Sequence, residues 1–174
     1  MKQGTKANFN GKTFEDSIEL IIHQQIDDVL FHKDLTDDFN KSSYLLKNVP
    51  YKSIYNKLDP DSTKKRKSSS EFVLVHNNIK VRIEAKWQSS PGSVDEKFPY
   101  VLLNCLFAYD ELINIIILDG GGYKHTAKLW ISKAAEFATT FANTFTNSKK
   151  QIFVLSLNEF GKWFDEFMKE DEDE

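Results

Sequence analysis

From Glu71 to Gln88 the chain reads EFVLVHNNIKVRIEAKWQ, two apolar-rich stretches broken once, at Asn77-Asn78. In the second stretch Val81, Ile83 and Ala85 alternate with Arg82, Glu84, Lys86 and Gln88. A period of two sends successive side chains to opposite faces of a strand. Asparagine tolerates the positive φ angles of a tight hairpin turn. The pattern predicts a β-hairpin whose second strand carries a guanidinium, a carboxylate, an ammonium and an amide on one face.

The rest of the chain alternates between the two periodicities. Phe14, Ile18, Ile21, Ile22, Ile26, Val29 and Leu30 recur at steps of three and four, predicting a helix from Gly11 to about Lys33. Thr13 fits its N-cap, with Glu15 and Asp16 in the first turn, where the helix dipole favours acids. Ser43 to Ile54 is aromatic and β-branched enough for a short strand, with Pro50 at its edge or end. Asp59 to Ser70 holds Pro60, a KKRK run and a closing run of three serines, and predicts a loop. Ser89 to Ser93 is a second loop. Helical spacing returns from Val94 to about Ala108, where Pro99 either kinks the helix or delays its start.

Leu112 to Leu118 is a continuous apolar run, suited to a strand covered on both faces. Thr126 to Thr146 predicts a helix, with Trp130, Phe137, Phe141 and Phe145 on its core side. Gln151 to Leu157 predicts a buried strand and Glu159 to Met168 a last short helix. The order α-β-β-β-α-β-α-β-α combines an antiparallel hairpin with at least one parallel crossover. It predicts an α/β fold, a mixed central β-sheet flanked by helices, as one domain over residues 1–169 with an acidic tail at 170–174.

Charge changes the picture locally. The chain of 174 residues carries a formal net charge of -3, but its last five residues are all acidic. Between Lys41 and Lys86 there are 11 bases and four acids, the asymmetry a polyanionic partner would meet. The lone Cys105 excludes an intramolecular disulfide and a cysteine-rich zinc site. MKQGTKANFNGK lacks an apolar signal core, and no run reaches membrane-spanning length. A soluble, cytoplasmic protein with no membrane association is expected. No G-x-x-x-x-G-K-S/T motif supports ATP use. His23, His32, His76 and His125 show no metal-ligand spacing.

The hairpin can bring chemistry together. Glu71 opens the first strand, and Glu84 stands about as far beyond the turn as a partner residue would. Two carboxylates at one end of a sheet can bridge a hard cation such as Mg²⁺, which takes a few oxygens and keeps waters. Lys86 would hold the water or the charge building on a phosphate. The plainer alternative for an isolated E-x-K is an exposed hairpin with surface ion pairs. Carboxylates of Glu71 and Glu84 on opposite faces would remove the catalytic option.

The surrounding pattern resembles the PD-(D/E)xK nuclease superfamily. A helix opens with G-x-x-x-E (Gly11, Glu15), an acid lies one hairpin strand upstream of E-x-K, and the order is helix, strand, hairpin, helix, strand. IEAKWQSSPGSVDEKFPYVLLN looks like the small restriction-endonuclease-like branch bearing E-x-K-x-Q, a GS loop and a following E-K helix, and LDGGGYK is similar to that branch too. The resemblance covers roughly Gly11 to Phe164. It implies a restriction-endonuclease-like fold, with Glu71 and Glu84 as metal acids, Lys86 as the catalytic lysine and Gln88 as the active-site glutamine. Glu15, with Glu19 as an alternative, would be the helix-one acid that reaches the metal through water. Glu71 departs from the family pattern, which has Asp after Pro; here Glu follows Ser70.

The resemblance implies a Mg²⁺-dependent DNA endonuclease, with Mn²⁺ as a possible substitute. It also implies that water would attack in line with the departing 3′ oxygen and leave a 5′-phosphate. Lys64, Lys65, Arg66 and Lys67, in the loop leading to Glu71, are candidates to neutralise backbone phosphates. Ser90, Gly92 and Ser93, with Lys97 behind them, are candidates to hold another. Double-stranded DNA is the expected partner, cut by a homodimer or together with a second nuclease subunit. Junction resolution, nicking, or a catalytically idle module that binds DNA or protein are the alternatives.

Overall fold

The computed structural model describes residues 3–58, 68–90, 95–146 and 149–169. Its centre is a six-stranded sheet with strands in the order of the chain: β1 (Val29–Phe31), β2 (Ser43–Tyr51), β3 (Ser68–His76), β4 (Ile79–Trp87), β5 (Ile113–Asp119) and β6 (Gln151–Leu155). β2, β3 and β4 pair antiparallel, whereas β1 with β2, β4 with β5, and β5 with β6 are parallel. The α-helices of the described residues are α1 (Gln3–Ile22), α2 (Ile54–Leu58), α3 (Phe98–Phe107), α4 (His125–Phe141) and α5 (Leu157–Lys169). This is the expected mixed sheet with flanking helices.

Both faces of the sheet are covered. Val81, Ile83 and Ala85 of β4 join Phe72, Leu74, Ile115 and Ile117 beneath α1 and α5, where Ile18, Ile22, Phe160 and Phe164 have no exposed surface. Ile116, Leu118 and Ile152 face the other way, against Val101, Leu102 and Cys105 of α3 and Ile131, Ala135 and Ala138 of α4. Full burial of one such phenylalanine contributes about 1.5–3 kcal/mol, so α5 is held chiefly by its aromatic side. The polar face of β4 therefore lies under α3 rather than in solvent, and Arg82 and Glu84 are each only 5% exposed.

Several elements depart from the sequence expectation. The first helix ends at Ile22, not near Lys33, and begins before Thr13, which is an interior residue and not its N-cap. Val29 and Leu30, expected on that helix, belong to β1 at the sheet edge, opposite Leu45 and Leu46. The stretch after Tyr51 forms α2 rather than continuing the strand, and Ser68–Ser70 belong to β3 rather than to a loop. Pro99 delays the start of α3: residues Asp95–Lys97 form a 3-10 turn, and proline falls in the first helical turn, where no amide donor is needed.

The aromatic face expected to bury α4 is turned outward. Trp130, Phe137 and Phe141 are 46%, 70% and 37% exposed, whereas Ile131, Ala135, Ala138 and Ala142 are buried. Both sets recur at helical spacing, and the small one lets the helix approach the sheet closely. The hairpin turn is as expected: Asn77 and Asn78 both have positive φ. Lys150 closes the end of α3, donating to the carbonyls of Cys105 at 2.9 Å, Tyr109 at 2.6 Å and Glu111 at 3.3 Å. That clamp fixes the turn on which Tyr109 stands. Among the described residues no helix is long and apolar enough to cross a membrane.

Candidate active site

Register brings the two carboxylates together. Phe72 pairs with Ile83, so one further step along the ladder sets Glu71 opposite Glu84, on the same face as Lys86. The Lys86 ammonium lies 3.1 Å from Glu71 Oε1 and 2.7 Å from Glu84 Oε2. The other Glu71 oxygen accepts the Ala85 N–H at 3.2 Å. The other Glu84 oxygen accepts a hydrogen bond from the Tyr109 hydroxyl. These groups line a cleft of about 540 Å³ together with Gly11, Ser69, Lys97, Tyr100 and Asn104.

The arrangement is short of positive charge. Burial pushes the Glu71 carboxyl up to about 7 from its ordinary 4.5; repulsion from Glu84 adds to this, and the Lys86 charge offsets only part of it. For Lys86 burial works against the ammonium, but the carboxylates of Glu84 and Glu71 outweigh it and hold the amine protonated above its usual range. Two acids thus share one ammonium, and a second cation would relieve Glu71 of its proton. Burial, and then the Glu84 charge, hold the Tyr109 phenol neutral far above its normal titration range. It can therefore act only as a fixed donor to Glu84.

Around this pair stands a polar shell the sequence did not reveal. Arg82 forms a two-pronged pair with Glu111, at 2.7 and 2.8 Å, and donates to Ser70 Oγ at 2.8 Å. Its guanidinium lies 4.7 Å from the Tyr109 ring centre. Tyr51 meets the Tyr109 ring edge-on at 4.8 Å and shares hydrogen bonds with the hydroxyls of Tyr109 and Tyr100. The Tyr123 hydroxyl donates to the Lys86 carbonyl at 2.5 Å. Arg82 had a legible place, on the Glu84 face of β4; Tyr109 and Tyr123 lie 25 and 37 residues from their partners, with no spacing signal.

The other predicted residues divide. Glu15 on α1 is half-buried, and its carboxyl is raised by burial against the opposing charges of Lys47 and Lys86. Lys86 is thus within its electrostatic reach. Glu19 instead forms an ion pair with Lys47. Lys97 is exposed at the cleft, whereas Ser90 is exposed but does not line it. Gln88 is buried away from the carboxylates: its amide donates to the Gly122 carbonyl at 3.0 Å and to Asp95 at 3.3 Å. In return Gly122 N–H donates to the Gln88 carbonyl at 2.8 Å. A Cβ at Gly122 would sit 2.3 Å from the Ser90 nitrogen, so DGGGYK is a close backbone clasp on the end of β4. Lys64, Lys65, Arg66, Lys67, Gly92, Ser93 and the tail Glu170–Glu174 lie outside the described residues.

Comparison with known proteins agrees with this framework. The model of the PD-(D/E)XK nuclease superfamily domain matches residues 6–168. The chain belongs to the PD-(D/E)XK nuclease superfamily. No curated protein and no solved structure matches it. PD-(D/E)XK nucleases act on nucleic acid and generally use divalent metals. Within this member, the match includes β3, β4 and every described residue lining the cleft. Among the described residues no group of three or more His, Cys, Asp or Glu side chains converges as a metal cluster. A cation here would rest on two carboxylates, backbone oxygens and water. Mg²⁺ commonly binds in that way, and the raised Glu71 carboxyl fits a site built for added positive charge.

Proposed function

We propose that this PD-(D/E)XK protein is a Mg²⁺-dependent DNA endonuclease, able to use Mn²⁺ in its place. The observation that carries the reading is the meeting of Glu71 and Glu84 on Lys86 within an open cleft. Glu71 and Glu84 would hold the cation. When bound, the cation neutralises phosphate charge and makes water a stronger nucleophile. Tyr109 keeps one Glu84 oxygen fixed, so the remaining oxygen faces Lys86 and the cleft. Lys86 stays protonated and donates to the attacked phosphate as its charge grows. Glu15 stands on α1 to order a water beside the acids. Gln88 acts at a distance from the reacting atoms, by holding the Gly122 loop against β4.

Water attacks the phosphorus in line with the departing 3′ oxygen, leaving a 5′-phosphate. Lys97 at the cleft and the KKRK run ahead of β3 supply phosphate contacts. Cutting both strands calls for a second active site, from another copy of the chain or a partner nuclease. The catalytic unit spans residues 1–169, with the acidic tail following. Incubating supercoiled plasmid with Mg²⁺ tests the reading. Wild type should nick or linearise it, and Glu84→Ala and Lys86→Ala should not. Equal nicking by all three proteins would show a contaminant and defeat the assignment.

A further inference from the structure

Tyr55 and Tyr100 form a ring stack at the edge of the cleft, with centres 5.2 Å apart and planes 19° apart. Tyr100 lines the cleft beside Glu71, Glu84 and Lys86. Tyr55, on the five-residue α2, exposes 54% of its surface. The pair is built in place rather than left over at the surface. Asn104 of α3 accepts the Ile54 N–H at 2.9 Å, so one side chain anchors the start of α2 to the wall of the cleft. Asn104 is only 1% exposed, lines the cleft, and its Nδ2 has no hydrogen-bond partner among the described residues. A second cleft of about 550 Å³ shares Tyr51 with the first and is lined by Lys52, Lys57 and Asp110, with the Lys57 ammonium 3.9 Å from the Asp110 carboxylate.

A stacked aromatic pair and flanking ammonium groups are the components that hold a single nucleic-acid strand. In an intact duplex both faces of each base are already covered by neighbours. An aromatic shelf gains contact only from a base that is unpaired or displaced from the stack. We propose that Tyr55 and Tyr100 hold an unpaired base of the DNA strand whose phosphate enters the Glu71–Glu84–Lys86 site. The preferred substrate is then single-stranded or locally unpaired DNA. This rests on the nuclease reading of the cleft. Lys52 and Lys57 follow the strand onward, and the buried Asn104 keeps α2 and its Tyr55 in place against α3.

Binding separates the two claims because it can be measured without cleavage. A short single strand carrying 2-aminopurine, and its fully paired duplex, are titrated with wild type, Tyr55→Ala and Tyr55→Phe in chelator. Wild type should bind the single strand at least about tenfold more tightly than the duplex and quench 2-aminopurine by stacking. Tyr55→Ala should lose about tenfold to a hundredfold on the single strand, lose little on the duplex, and abolish the quenching. Tyr55→Phe keeps the ring and should keep both. Tyr55 is exposed, and thermal melts of the variants verify that they fold. Equal affinity of wild type for the two DNAs, or an equal effect of Tyr55→Ala on both, overturns the shelf. Cleavage with Mg²⁺ is read in parallel. Base-dependent binding without cleavage removes the nuclease reading and upholds the shelf. Cleavage that is indifferent to Tyr55 removes the shelf alone.

Discussion

Replacing Glu71 with glutamine should make the metal-free protein more stable near neutral pH while removing its response to metal. The Glu71 carboxyl is held up to about 7, against an ordinary value of 4.5, by burial and by the Glu84 charge. A group that binds its proton more tightly when folded favours the folded state only while protonated. Below 4.5 both states keep the proton and Glu71 adds nothing to the pH dependence. As pH rises from 4.5 to about 7, the unfolded chain ionises first and stability falls; above about 7 the deficit is constant. The gap of about 2.5 pH units, at about 1.4 kcal/mol each, sets a ceiling near 3.5 kcal/mol.

The Glu71 side chain is 22% exposed, so water screens part of that figure, and about 1–3 kcal/mol is expected. Glutamine stands in for the neutral carboxyl. In chelator, thermal melts of Glu71→Gln should exceed wild type by roughly 3–10 °C at about pH 8, and the gap should close towards about pH 4. Saturating Mn²⁺ should raise the wild-type melting temperature and leave the variant nearly unmoved. A wild type as stable as Glu71→Gln at alkaline pH, or equal stabilisation of both by metal, would refute the picture of two acids short of a cation.

Three other outcomes follow from the same geometry. Lys86→Met should lower cleavage about 10²–10³-fold yet keep or tighten Mn²⁺ binding in calorimetry, because the competing ammonium is gone; lost metal binding would oppose this. Wild-type Mn²⁺ affinity should rise as pH passes about 7, where Glu71 gives up its proton, and Glu71→Gln should flatten that dependence in the same titration. Arg82→Met leaves Glu111 buried without its partner and should cost about 3–5 kcal/mol in denaturant melts, much of it recovered by adding Glu111→Leu. An unchanged midpoint in the single variant would show that the pair adds nothing.

The hairpin geometry was legible because period and turn together fix register. Two residues, Asn77 and Asn78, close the turn, and the strict alternation of β4 then assigns a face to Glu84 and Lys86 and an opposite number in Glu71. β1 was not legible, because Val29 and Leu30 continue the helical spacing of α1 by chance and a three-residue strand has no period of its own. In α4 the aromatic spacing pointed to the wrong face as core; a set of mostly small residues at the same spacing turned inward, because alanine allowed the closer approach, and the aromatics were left outside. The contacts of Gln88 were not legible because its partners, Asp95 before α3 and Gly122 after β5, are returned to β4 only by the three-dimensional path. The buried pair Arg82–Glu111 and the hydroxyl of Tyr109 share that reason: each is a contact between residues far apart in the chain.

Hydrolysis of a phosphodiester by Glu71, Glu84 and Lys86 with a divalent cation can be read from the ends it leaves. End-labelled DNA is incubated with Mg²⁺ and wild type or Glu84→Gln, and the product termini are identified. Wild type alone should cleave, chelator should abolish the cleavage, and the ends should be 5′-phosphate and 3′-hydroxyl, which a ligase rejoins. Cleavage that survives Glu84→Gln, or products ending in 3′-phosphate, would contradict that chemistry.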